Sequence, residues 1–171
     1  MKAVVCPKVG EHSLLVSGSA DADIIVWNIS NGERLHVFKG YNRAILDLAI
    51  DPVSQDDDIA HATIFSAGSD RDIRYFKLPA LGNQNLSDPI QEHETSVYKL
   101  FFDADGDLWT ASADKTVKCL CRENSWKANM TLDHPDFVRD VVVHEQAGLV
   151  ITACRDEEVR VWQRAVSAKI S

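Results

Sequence analysis

The sequence has no run of 18 continuous apolar residues, so it offers no segment for a membrane-spanning helix. It is poor in cysteine: Cys6, Cys119, Cys121 and Cys154 make no CxxC pair, and reduced thiols are the expectation. Basic residues are outnumbered, 18 Lys and Arg against 26 Asp and Glu. The resulting net charge of −8 argues against a nucleic-acid partner, whose affinity rests largely on cations releasing phosphate counterions. A glycine-rich phosphate loop and an activated-nucleophile motif are both missing, which takes away the common signatures of nucleotide-binding and acyl-transfer enzymes. The opening MKAVVCPKVGEHS holds a four-residue apolar stretch, too short for the hydrophobic part of a secretion signal. Sequons at Asn28, Asn85 and Asn129 stand without other support for export, and a cytoplasmic or nuclear location is expected.

What is present is a chain of 171 residues, 45% hydrophobic and 26% charged, long enough for one domain with a substantial core. Its dominant feature is repetition. The segment LVITACRDEEVRVW, ending at Trp162, carries an apolar run, a polar corner and an alternating run, which reads as two short strands around a tight turn. LLVSGSADADIIVW ends at Trp27, TIFSAGSDRDIRYF at Phe76 and DLWTASADKTVKCL at Leu120. Each has an Asp six residues before its last position, at Asp21, Asp70, Asp114 and Asp156, spaced 49, 44 and 42 residues apart. A unit of that length implies stacked supersecondary repeats.

These residues resemble WD40 repeats: Ser17-Gly18-Ser19-Ala20-Asp21 with Ile24 to Trp27, and Thr152 to Asp156 with Val159 to Trp162. Of the Gly-His pair that usually opens such a repeat, His93 and His134 keep the His, and Gly40-Tyr41 keeps the Gly. The resemblance implies an all-β fold of WD40-type β-propeller blades, each of four antiparallel strands. About four blades form one repeat domain over residues 1–171, with units at about 1–39, 40–92, 93–133 and 134–171. The seven blades usual in the family imply an incomplete ring. Because Cys6-Pro7 aligns with Asp51-Pro52, the chain is expected to begin inside a repeat and to belong to a longer protein that supplies the remaining blades. Two half-rings paired as a dimer and a closed four-bladed ring are the alternatives. Two polar insertions, 54–61 and 79–89, are expected as surface loops, and the last strand of unit four is weak, with Val166, Ala168 and Ile170 in alternation.

The resemblance further implies a hydrogen-bonded set inside each blade. Unit four has His134, Thr152, Asp156 and Trp162; unit three has His93, Thr110 and Asp114; unit two has Ser66 and Asp70; unit one has Ser17, Asp21 and Trp27. The His-Thr-Asp triplet is the composition of a nucleophilic triad, yet its spacing is that of the repeat, so a structural role is expected. Units with missing members are expected to rest more on packing. Partners, proteins or peptides, are expected on the rim formed by the loops entering each first strand: Arg43, Leu46, Ser69, Ser96, Tyr98, Phe137, Arg139 and Arg155. The alternative for the two last arginines is pairing with Asp136, Asp140 or Glu157. No cofactor or metal is expected; Asp56-Asp57-Asp58 with His61 matches no calcium loop and reads as a solvated insertion. The functional expectation is a non-catalytic scaffold for protein–protein interaction, with a propeller enzyme or a metal-dependent loop site as the alternative.

Overall fold

The computed structural model describes residues 2–9, 12–53, 61–79 and 85–164. The Asp56-Asp57-Asp58 insertion and the expected strand around Val166, Ala168 and Ile170 lie outside the described residues. The fold is all-β. Four antiparallel sheets follow one another along the chain.

Sheet one contains β1 (Ala3–Val5), β3 (His12–Gly18), β4 (Ile24–Asn28) and β5 (Arg34–Phe38), paired in that order. A two-residue strand, β2 (Lys8–Val9), also pairs with the start of β3. Sheet two contains β6 (Ile45–Ile50), β7 (Ala62–Gly68) and β8 (Ile73–Leu78); its expected fourth strand is reduced to one bridge between Ile73 and Ile90. Sheet three contains β9 (Val97–Phe102), β10 (Leu108–Ser112), β11 (Thr116–Cys121) and β12 (Lys127–Asp133). Sheet four contains β13 (Val138–His144), β14 (Leu149–Cys154) and β15 (Val159–Gln163).

The turn chemistry repeats with the sequence. The residue after each turn aspartate takes a left-handed conformation: Ala22 at φ 73°, Arg71 at 71°, Lys115 at 69° and Glu157 at 71°. The preceding carboxylate stabilises this corner by accepting the backbone N–H two residues on, at Asp23, Asp72, Thr116 and Glu158.

The first strands β1, β6, β9 and β13 lie side by side, and the later strands of each sheet radiate outward from them. Period-two side-chain alternation gives each sheet two apolar faces, so the core falls between sheets. Val16, Ile24 and Phe38 meet Ile45, Ile64 and Phe76 between sheets one and two. Phe65, Ala67 and Ile73 meet Leu100, Leu108 and Leu120 between sheets two and three, and Trp109, Ala111 and Val117 meet Val138, Val141 and Val150 between sheets three and four. Full burial of one such large side chain contributes about 1.5–3 kcal/mol, against about 0.5–1.5 for a neutral hydrogen bond, so these joints carry most of the stability.

Among the described residues sheets one and four do not cover each other: Val4 (42% exposed) on sheet one and Val142 (40%), Val159 (67%) and Val161 (61%) on sheet four face solvent, which is not the arrangement of a closed four-bladed ring.

Candidate functional site

Sheet three holds the most complete polar set. His93 Nδ1 lies 2.8 Å from Asp114 Oδ2, and His93 Nε2 lies 2.7 Å from Thr110 Oγ1. Asp114 also accepts the N–H groups of Glu94 at 3.1 Å and Thr116 at 3.0 Å, and the Thr116 hydroxyl at 2.7 Å. Burial pushes the Asp114 carboxyl up, but the His93 bond and charge, with the further donors, outweigh it and hold the group well below the usual carboxylate range. Hydroxyl, imidazole and carboxylate are thus in line. However, Thr110 is fully buried and His93 is 3% exposed, so no substrate reaches that hydroxyl.

Sheet four departs from the set the sequence implies. His134 Nε2 lies 2.8 Å from Thr152 Oγ1, and Trp162 Nε1 donates to the same hydroxyl at 3.0 Å. Asp156 is outside this group: His134 Nδ1 turns to the Leu132 carbonyl at 3.1 Å, and Asp156 accepts from Arg160 at 2.6 and 3.1 Å. The reason lies in two residues. In sheets two and three the residue after the loop aromatic, Asn42 or Glu94, donates its N–H to the turn aspartate. In sheet four that residue is Pro135, which has no N–H. Thr116, whose hydroxyl also holds Asp114, is replaced by Glu158, which shares Arg160 instead. The Arg160 bonds hold Asp156 well below the usual range, and burial lowers His134 from its ordinary value.

Sheet two keeps its polar link in another form. The Tyr41 hydroxyl lies 2.7 Å from the Ser66 carbonyl and 2.9 Å from Ser66 Oγ, both buried. Tyr41 therefore stands in for the histidine instead of leaving the sheet to packing alone. Its larger ring needs Gly68, where an added Cβ would come within 2.7 Å of it. Asp70 accepts from Asn42 N at 3.0 Å. In sheet one Trp27 Nε1 donates to Ser17 Oγ at 2.8 Å, while Asp21 accepts the Asp23 N–H and stays at the surface.

At the opposite rim is a feature the sequence reading missed. Asp51 and Asp103 directly follow the first strands of sheets two and three, and each receives an arginine from the next sheet: Arg122 to Asp51 at 2.6 Å, Arg164 to Asp103 at 2.9 Å. Arg122 lies two residues past Leu120 and Arg164 two past Trp162, so the clamp recurs in phase with the repeat. That phase was the available signal. Asp103, Asp107 and Cys119 bring ligand-type atoms within 4.8 Å of one another. Asp103 nonetheless accepts from Trp109 Nε1 and from the Asp105 and Asp107 N–H groups as well as Arg164, and burial pushes the Cys119 thiol up. The cluster is an internally satisfied knot.

The rim residues named from the sequence fall into three groups. Leu46, Tyr98 and Arg139 each sit at a break in strand register at the start of β6, β9 and β13, the extra residue of a β-bulge. A bulged residue is unpaired and its side chain is re-aimed. Arg139, exposed, lies over the half-buried Tyr98 ring at 4.2 Å across the joint between sheets three and four, and Arg155 lies over the Phe137 ring at 5.4 Å. The expected alternative, ion pairing with neighbouring acids, is not what these arginines do: Asp136 and Asp140 accept the N–H groups of Phe137 and Val141. Ser96 Oγ donates to the Ser69 carbonyl at 3.2 Å, tying loops of sheets two and three together, and Arg43 is exposed.

Comparison with known proteins agrees with this architecture. The family model for the WD domain, G-beta repeat, matches residues 84–119 and 126–163. Over 157 residues the chain is 36% identical to an uncharacterized WD repeat-containing protein of Schizosaccharomyces pombe, covering 89% of this chain and 40% of that protein. It is 24% identical over 168 residues to pre-mRNA-processing factor 19 of Bos taurus (92% and 30%), and 23% identical over 158 residues to nuclear distribution protein nudF of Aspergillus niger (92% and 34%). The chain spans 30 to 40% of the length of these relatives. Repeats in phase, sheets in series and matching relatives together make this chain a member of the WD40-repeat family.

Proposed function

We propose that the chain is a non-catalytic interaction platform whose bulge rim, centred on Tyr98, Arg139, Phe137 and Arg155, receives a protein or peptide partner carrying acidic groups. The observation that carries this reading is the stacking of Arg139 on Tyr98 and Arg155 on Phe137. A guanidinium over an aromatic face keeps its donor edges free and is held rigid, which lowers the entropy lost on binding. Arginine and aromatics are also the residue types enriched at interface hot spots. The inaccessible Thr110 hydroxyl and the satisfied Asp103 knot support a non-catalytic role. Relatives named for pre-mRNA processing and nuclear distribution support a cytoplasmic or nuclear setting, and among the described residues no helix is long and apolar enough to cross a membrane. Nucleic acid is disfavoured by the net charge of −8.

The test is charge reversal: Arg139→Glu and Arg155→Glu, with circular dichroism to verify the fold, in a partner-capture experiment. Loss of a specific partner with an unchanged spectrum supports the reading; undiminished capture by the double variant overturns it.

A further inference from the structure

The bulge rim has a direction. Leu46 on β6, Tyr98 on β9 and Arg139 on β13 hold one position of the repeat on first strands that lie side by side. A second row runs beside it: the carbonyls of Ala44, Ser96 and Phe137 accept the N–H groups of Ser69, Ala113 and Arg155 at 2.9, 2.9 and 2.8 Å, so these pairs are equivalent as well. In both rows the positions on sheets two and three are uncharged, and the two cations, Arg139 and Arg155, stand on sheet four. The rows cross the joints between sheets two and three and between sheets three and four, and so do not depend on what covers the outer faces of sheets one and four.

Charges beside the uncharged end are internally paired. Lys99, next to Tyr98, pairs with Asp47 at 3.2 Å, and the same carboxylate accepts the Leu100 N–H at 2.8 Å. Arg43 is exposed on the loop before β6, but among the described residues no aromatic ring lies beneath its guanidinium, so a ligand that ordered it would meet a side-chain entropy cost that Arg139 and Arg155, already held on rings, do not carry. The cationic end is narrow. Asp136 and Asp140 flank it on the entry to β13, and Glu94 and Glu157 stand exposed on the loops to either side. A run of consecutive acids would set like charges against these carboxylates, whereas a single acid on the two guanidiniums would not.

We propose, resting on the rim reading above, that the partner segment is an extended peptide with one apolar side chain over Leu46 and Tyr98 and one acidic side chain on Arg139 and Arg155, and that it is not a polyacidic stretch. The apolar side chain removes the half-buried Leu46 and Tyr98 from water, and the carboxylate makes charge-assisted bonds to guanidinium edges that are already fixed. Packed sheets stand about 10 Å apart and an extended chain advances about 3.3 Å per residue, so the two anchors fall about three residues apart.

An array of Gly-Ser peptides carrying Leu and Glu in graded number and separation, probed with the 171-residue chain, tests this. One Leu and one Glu at about that separation should give a signal about tenfold or more above either residue alone, and the signal should fall as further Glu residues are added. With folding verified by circular dichroism, Leu46→Ser should abolish the dependence on Leu and keep that on Glu, Arg139→Glu should abolish the dependence on Glu, and Arg43→Glu should change neither. A signal that grows with the number of Glu residues and ignores Leu, yet is lost in Arg139→Glu, overturns this inference and leaves the rim reading standing. Signal no higher than for Gly-Ser alone also overturns the inference. A signal untouched by Arg139→Glu and Arg155→Glu overturns the inference and the rim reading together.

Discussion

His93 Nδ1 lies 2.8 Å from Asp114 Oδ2, whereas the equivalent His134 and Asp156 make no bond to each other. The same fold thus holds a complete relay in sheet three and a divided one in sheet four. Pro135 and Glu158 account for the difference, because together they remove both donors that would draw Asp156 toward its histidine.

Asp114→Ala is expected to destabilise the chain by about 1.5–3 kcal/mol, the range for hydrogen bonds to a charged group, because His93 and two N–H donors lose their acceptor inside the blade. Asp156→Ala is expected to cost less, since its partner Arg160 keeps Glu158 and solvent. Urea unfolding of the two variants, compared with the unaltered chain, measures the difference.

Stability is expected to fall with acid in two stages. His134 is lowered from its ordinary value, so its contribution is present above about pH 6.5 and is lost as pH falls through the depressed value. Asp114 is depressed below 3.8, so its contribution is present above about pH 4 and is lost below it. Thermal melts from pH 8 to 3 should show both, with His134→Gln flattening the upper stage and Asp114→Asn the lower.

Tyr41→Phe keeps the ring against Gly68 and removes the hydroxyl that meets Ser66, and it is expected to cost about 0.5–1.5 kcal/mol. A neutral result in chemical denaturation would mean that sheet two rests on packing alone.

Arg164→Ala leaves the wholly buried Asp103 carboxylate without its cation and is expected to destabilise by about 1.5–3 kcal/mol, the range for a hydrogen bond to a charged group. Hydrogen exchange should localise the loss to β9, β10 and β13, the strands that meet at that joint. Loss confined to β15 would mean that the clamp does not hold the sheets together.

The repeat was legible because its markers are local: an aspartate at a fixed offset, a polar corner and a two-residue period on either side. Tyr41 could be aligned with the histidine, but its hydroxyl bond to Ser66 depends on Gly68 making room, which is a tertiary matter. Asp156 was misjudged because the offset was intact while the donors lay elsewhere, at Pro135 and Glu158. The Asp–Arg clamps join residues 71 positions apart in one case, and only the packing of neighbouring sheets brings them together. The rim positions were identifiable by repeat phase; that Leu46, Tyr98 and Arg139 are bulge residues, stacked in one instance, needed the strand register.

Affinity selection of random peptides against the immobilised chain tests recognition at the bulge rim most directly. Enriched peptides should be acidic, and their affinity should fall about tenfold or more in Arg139→Glu and Arg155→Glu but not in Arg122→Ala on the opposite rim. Equal binding by all three variants, or loss confined to Arg122→Ala, would contradict it.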